Sequence, residues 1–339
     1  MKARLSLRIP NEPRQILAAS IVKTEAPVTD LETPTPNTAM PRWLAMALLV
    51  FASACWAGSS VAGRAAAGDV PPMTISFLRW FIALIVLLPF GAKPLWSERR
   101  ILIHHFPIMC AFAFFGVVGF TVPYYVGLQF TEAINVGILN ASSPILILIL
   151  SLAMLGVAIR PGQLVGVGFA LIGTLLIVSR GSLETVIGLT FNVGDLLALS
   201  AFLSWAVYTV MLRWRPPGVS SYSFLVAIFA LASLMMLPLY VTELALGRSF
   251  EHNFNNWFII GYAALFPSTL AYLAWNLAVP IVGANLAAIT QYLNPVFAIS
   301  LAALILGEIV EVFHLAGIAT ILAGIYLSGS RRRRSTRGT

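Results

Sequence analysis

From Trp43 onward, long apolar stretches alternate with short polar ones, and the apolar stretches are too long and too evenly apolar for one-sided burial. A helix that crosses a bilayer needs roughly 17–25 mostly apolar residues. Ten stretches meet or approach that length: Trp43–Gly63, Pro72–Phe90, Phe106–Val126, Ala133–Leu155, Gln163–Ser179, Gly194–Leu212, Ser221–Val241, Trp257–Leu277, Ala284–Leu306 and Phe313–Gly329. The third, fifth, eighth and tenth are short or interrupted, so nine spans is the alternative count.

The chain repeats itself. Pro144, Gly156, Gly166 and Gly173 recur 151 residues later as Pro295, Gly307, Gly317 and Gly324. Trp56, Arg64 and Pro89 recur 149 residues later as Trp205, Arg213 and Pro238. Such self-similarity defines structural units. Each unit holds five spans, an odd number, so the second unit must enter the membrane from the opposite side. The pattern therefore predicts an all-α membrane protein of about ten transmembrane helices, arranged as two inverted five-helix repeats over 42–180 and 192–329. Inverted repeats are common in secondary transporters, where the substrate site lies near the midplane between the halves. Some channels also carry them.

Composition agrees. Hydrophobic residues make up 59% of the 339 residues and charged ones 10%, against roughly 25% charged in soluble domains. The net charge of +8 reads as a topology signal, because Lys and Arg gather on the cytoplasmic side of membranes. With the N-terminus inside, 17 of the 21 Lys and Arg fall on the inner side, only Arg64, Arg180 and Arg248 fall outside, and Arg79 lies within a span. Both termini are thus expected in the cytoplasm and the spans in the cell inner membrane. Residues 1–41 are polar and rich in Pro and Thr, the composition of a disordered tail; 330–339 form a second, basic tail. A cleaved signal peptide fits poorly, because the first apolar run begins only at Trp43 and the first repeat needs it.

The repeat positions also carry a family resemblance. The first helix reads Cys55-Trp56-Ala57-Gly58-Ser59-Ser60 with Gly63-Arg64, and the second span holds Phe77-Leu78-Arg79-Trp80 and ends at Pro89. The second unit opens with Gly194-Asp195-Leu196-Leu197-Ala198-Leu199 and Trp205-Ala206-Val207-Tyr208. It closes with Asn294-Pro295-Val296-Phe297, Leu306-Gly307-Glu308, Gly317 and Gly324. In these residues, over about Trp43 to Gly329, the chain resembles the drug/metabolite transporter superfamily, EamA type, with two EamA units. The resemblance implies a ten-helix carrier that exports small metabolites or amphiphilic compounds through a central cavity. One departure is Val157, which stands where the family's Leu-Gly-Glu motif has its acid; the second unit keeps Glu308.

Three groups of residues are candidates for a substrate site. A charge inside a span costs about 2.5–3.5 kcal/mol on insertion scales, so it should be paired or face water. Arg79 either meets an anionic group such as a carboxylate or is a structural arginine near a helix end. Asn140, Ser142 and Ser143 precede Pro144, and Gln291 and Asn294 precede Pro295. Proline frees a helical carbonyl, and such breaks either line a cavity or bond between helices. Trp56, Tyr124, Tyr125, Trp205, Tyr208, Tyr272 and Trp275, with Asn276, offer apolar faces and single donors suited to amphiphilic ligands or to packing. The site expected from these groups is Arg79, Tyr124, Asn140, Trp205, Tyr208, Tyr272, Asn276, Gln291 and Asn294.

No cofactor or metal is expected. Cys55 and Cys110 sit inside apolar runs without metal-type spacing. His104 and His105 are adjacent at a span edge, His252 and His314 are solitary, and no nucleophile elbow, zinc motif or P-loop occurs. Enzyme chemistry is therefore not expected. The expected partners are a small-molecule substrate and the lipid bilayer, with no nucleic acid. The main function expected is secondary transport, with an uncoupled facilitator or channel as the alternative.

Overall fold

A computed structural model describes residues 40–65, 70–188, 190–307 and 309–329. The tail expected over 1–41 lies outside these except for Met40 and Pro41, and so do Glu308 and the tail at 330–339. All regular structure among the described residues is helical. In chain order the main helices are α1 (Arg42–Ala65), α2 (Pro72–His104), α3 (Phe106–Gly127), α4 (Ile134–Leu155), α5 (Pro161–Val178), α6 (Val193–Trp214), α7 (Ser221–Ala245), α8 (Phe254–Val282), α9 (Ala284–Leu304) and α10 (Val312–Gly329). Eight of them are long and apolar enough to cross a membrane, and α1 and α10 hold shorter apolar segments. A single-turn helix, Leu183–Ile187, joins α5 to α6. The chain is therefore a multi-pass membrane protein. Large side chains such as Ile85, Leu164, Ile172 and Leu304 stay exposed on the helix flanks, which only a lipid solvent tolerates in such numbers.

Several helices run differently from the apolar stretches that announce them. α2 continues past Pro89 and Pro94 to His104. α4 is broken by a turn at Ala141–Ser142 and α9 by one at Gln291–Tyr292, each just before a proline of the repeat. α3 and α8 each contain a π segment, Phe114–Val118 and Ala264–Leu270, at matching positions of the two halves. Gly156 and Gly307 end the helices of α4 and α9 with φ of 65° and 67°, a left-handed conformation that favours glycine.

The two halves interleave. α1 packs on α8 and α9, and α6 packs on α3 and α4. α5 pairs with α10 through glycines. A Cβ on Gly166 or Gly324 would fall on the other's carbonyl oxygen, and one on Gly173 would lie 2.6 Å from the Gly317 oxygen. Small residues let membrane helices approach this closely.

α2 and α7 pair antiparallel and cap each other. The Glu243 carboxylate of α7 accepts from Thr74 N at 2.7 Å, Thr74 Oγ1 at 2.9 Å and Met73 N at 3.2 Å at the start of α2. The Glu98 carboxylate of α2 accepts from Ser220 N at 2.9 Å at the start of α7. Each acid supplies acceptors and negative charge to N–H groups that have no partner inside their own helix. Asp195 plays a similar part. It is 2% exposed and accepts from Asn192 N, Asn135 Nδ2 and Thr131 Oγ1, tying α6 to the start of α4.

Candidate functional site

Arg79 lies on α2 with 6% of its surface exposed. Its Nε donates to Ser268 Oγ at 2.8 Å and its Nη1 to Tyr125 OH at 3.0 Å. The guanidinium carbon lies 5.2 Å from the Trp80 ring centre and 5.8 Å from that of Tyr125. Among the described residues no carboxylate lies within 4.0 Å of it. Ser268 belongs to the π segment of α8, and its own hydroxyl donates to Ala263 O at 2.7 Å.

From Arg79 a circuit of contacts closes on itself. Tyr125 meets Tyr124 at 5.5 Å, Tyr124 stacks with Phe120 at 5.5 Å, and Phe120 reaches Trp205 at 6.1 Å. Trp205 meets Trp56 edge to face at 5.3 Å. Trp56 Nε1 donates to Pro267 O at 3.2 Å, next in the chain to Ser268. Phe120, Tyr124, Tyr125 and Trp56 are only partly buried.

Tyr208, Tyr272 and Asn276 form a second, closed group. All three are at most 3% exposed. Tyr208 OH donates to Asn276 Oδ1 at 2.9 Å, Asn276 Nδ2 donates to Tyr272 O at 2.8 Å, and Tyr272 OH donates to Gly116 O. Gly116 lies in the π segment of α3, where a Cβ would collide with the Tyr208 ring. Trp80, Phe112, Phe224 and Phe229 extend this packing, and Trp80 Nε1 donates to Thr121 Oγ1 at 2.9 Å.

The broken helices supply a third group. Ser53 Oγ on α1 donates to Thr290 O at 3.0 Å, and Tyr292 OH donates to Ala141 O at 3.1 Å, joining the two breaks. Ser143 Oγ, Gln291 Nε2 and Asn294 Oδ1 are buried atoms without a hydrogen-bond partner, as is Trp275 Nε1. Unpaired buried polar atoms are costly and uncommon. Asn140 sits half-buried at the end of the first part of α4.

The sequence pattern of the EamA-like transporter family matches residues 43–179 and again 192–330. The chain belongs to that family. Among its relatives is the uncharacterized transporter YetK of Bacillus subtilis (strain 168), 28% identical over 84% of this chain and 86% of that one. An uncharacterized transporter of Archaeoglobus fulgidus is 28% identical over 84% of this chain and 97% of that one. A solved crystal structure superposes with a TM-score of 0.72 over 85% of this chain and 97% of that chain, at 20% identity, and shares the fold.

Within this EamA-like chain the fold brings Arg79, Tyr124 and Trp205 into one circuit and Tyr208, Tyr272 and Asn276 into one hydrogen-bonded cluster that touches it. Asn140, Gln291 and Asn294 gather at the helix breaks. Sequence reasoning missed Ser268, Phe120 and the glutamates Glu98 and Glu243. Pro267 was the one local signal for Ser268, because a proline within a span marks a disturbed hydrogen-bond ladder.

Proposed function

We propose that this transporter is a secondary exporter of small metabolites, amino acids or amphiphilic compounds, and that it works by alternating access between two inverted five-helix halves. It sits in the cell inner membrane with both termini in the cytoplasm. The observation that carries this is the exchange of partners between the halves. The first helix of each half packs on the third and fourth of the other, and Trp56 and Trp205, equivalent by sequence, touch each other. Two interleaved halves of opposite orientation can trade conformations, which gives one chain two mirror-related open states. Orientation rests on the 17-to-3 distribution of Lys and Arg.

In this reading the buried Tyr208–Asn276–Tyr272 cluster closes one side of the substrate site. In the same reading the partly exposed Tyr124, Tyr125, Phe120 and Trp56 line the substrate's path. Arg79, Tyr124, Asn140, Trp205, Gln291 and Asn294 contact the substrate, and Tyr208, Tyr272 and Asn276 form the floor that must part when access switches.

The test is counterflow in liposomes containing the purified protein, with a panel of labelled amino acids and amphiphilic metabolites. Saturable exchange stimulated by unlabelled substrate on the far side is expected. Flux that rises linearly with concentration and shows no counterflow would establish a facilitator or channel instead.

A further inference from the structure

We infer that Arg79 holds the carboxylate of the substrate, and that the substrate is a monoanion with one carboxylate on a flat apolar body. This rests on the transporter reading and names its substrate class.

The argument begins with charge. Arg79 is buried, with 6% of its surface exposed, yet among the described residues both of its hydrogen-bond partners, Ser268 and Tyr125, are neutral. No described carboxylate lies within 4.0 Å. A buried cation held only by neutral groups is a strong site for an anion, because the protein has already met the cost of desolvating it. The donors left over suit a carboxylate. Nε is committed to Ser268 and one Nη1 hydrogen to Tyr125, which leaves the other Nη1 hydrogen and both on Nη2. Those can form the planar two-pronged contact that guanidinium makes with carboxylate.

One charge is also the limit. Among the described residues Arg79 is the one cation in the circuit, with none beside it there to balance a phosphate dianion. The body of the ligand follows from the rest of the circuit. Tyr124, Phe120 and Trp56 are partly exposed uncharged rings, backed by the buried Trp205. Such walls take up flat apolar groups.

The experiment is titration calorimetry on the purified full chain at pH 7. Its probes are sodium phenylacetate and phenylacetamide, which share shape and differ in charge. Saturable binding of phenylacetate is expected, with the amide about tenfold weaker or more, the range of a charged hydrogen bond lost. Arg79→Gln should abolish phenylacetate binding, and Tyr125→Phe should weaken it several-fold. If Arg79→Gln fails to fold, Tyr125→Phe and the acid-against-amide comparison still decide. Equal binding of acid and amide, or undiminished acid binding by a folded Arg79→Gln protein, overturns the inference. Counterflow separates this result from the transporter reading. Saturable counterflow of other solutes by a protein that ignores phenylacetate leaves that reading in place and sinks this one. Selective acid binding without counterflow of any solute does the reverse.

Discussion

The indoles of Trp56 and Trp205 meet edge to face with ring centres 5.3 Å apart, although 149 residues separate them. They occupy the same position in the two repeats. A second such pair lies at the helix breaks, where Tyr292 donates to the carbonyl of Ala141, 151 residues away. Residues that touch their own repeat-mates must lie at the line about which the halves are related. Both pairs therefore mark where the two repeats meet, and candidate residues such as Trp205 and Gln291 lie at or next to them in the chain.

Replacing either indole should impair transport. Trp56→Ala or Trp205→Ala is expected to cut saturable counterflow at least tenfold while membrane abundance stays within twofold of the wild type. Quantitative blotting alongside flux measurement checks both halves of that statement. Full flux in both variants would remove the indoles from the site.

The α5–α10 contact should be intolerant of added volume. Gly324→Ala places a methyl on the Gly166 carbonyl, and overpacking of this kind costs about 1–3 kcal/mol. Gly168→Ala is the matched control, because nothing lies within 4 Å of a Cβ there. Thermal unfolding of the purified protein should show a lowered midpoint for Gly324→Ala and no loss for Gly168→Ala.

The two glutamates that cap α2 and α7 should act independently. Glu243→Gln removes the charge at Thr74 and Met73, and Glu98→Gln removes that at Ser220. Each loss is expected to cost about 0.3–1 kcal/mol, the range for a charge at a helix N-terminus. The caps sit at opposite ends of the pair, so the double variant should show the sum of the two losses. A double variant no worse than either single one would mean that the ends are coupled.

Tyr208→Phe should loosen the closed side. It leaves Asn276 Oδ1 without its donor, and a buried polar group left unpaired costs about 1–3 kcal/mol. That cost falls only on the conformation in which the cluster is assembled, so the opposite conformation should gain population. A cysteine placed at Ala278, fully buried two residues beyond Asn276 on α8, should then react faster with a maleimide. An unchanged rate would show that the cluster does not control access.

The spans were legible in the sequence because lipid demands long apolar runs and leaves little else to read. The repeat was legible because Pro, Gly and Trp serve backbone and packing roles that few residues can replace: Pro144 and Pro295 stand at the two breaks, and Gly156 and Gly307 adopt φ near 65°. The candidate site was only half legible. Arg79 stood out as the one Lys or Arg inside an apolar stretch, and the aromatics stood out as a set. Which of them stay partly exposed and which are buried in bonds to one another did not follow, since Tyr124 and Tyr208 look alike in sequence.

The amino-acid sequence by itself determined the solvent, the helix count to within one or two, the two-fold repetition and the family. These are properties of composition and spacing, which act within one element at a time. Tertiary structure decided that the halves interleave, that α3 and α8 relax into π segments, and that Arg79 is buried against Ser268 and Tyr125 with no acid beside it among the described residues. Such facts depend on contacts between residues up to 237 positions apart, as between Ser53 and Thr290. They are fixed by how helix faces fit together, which no local pattern records.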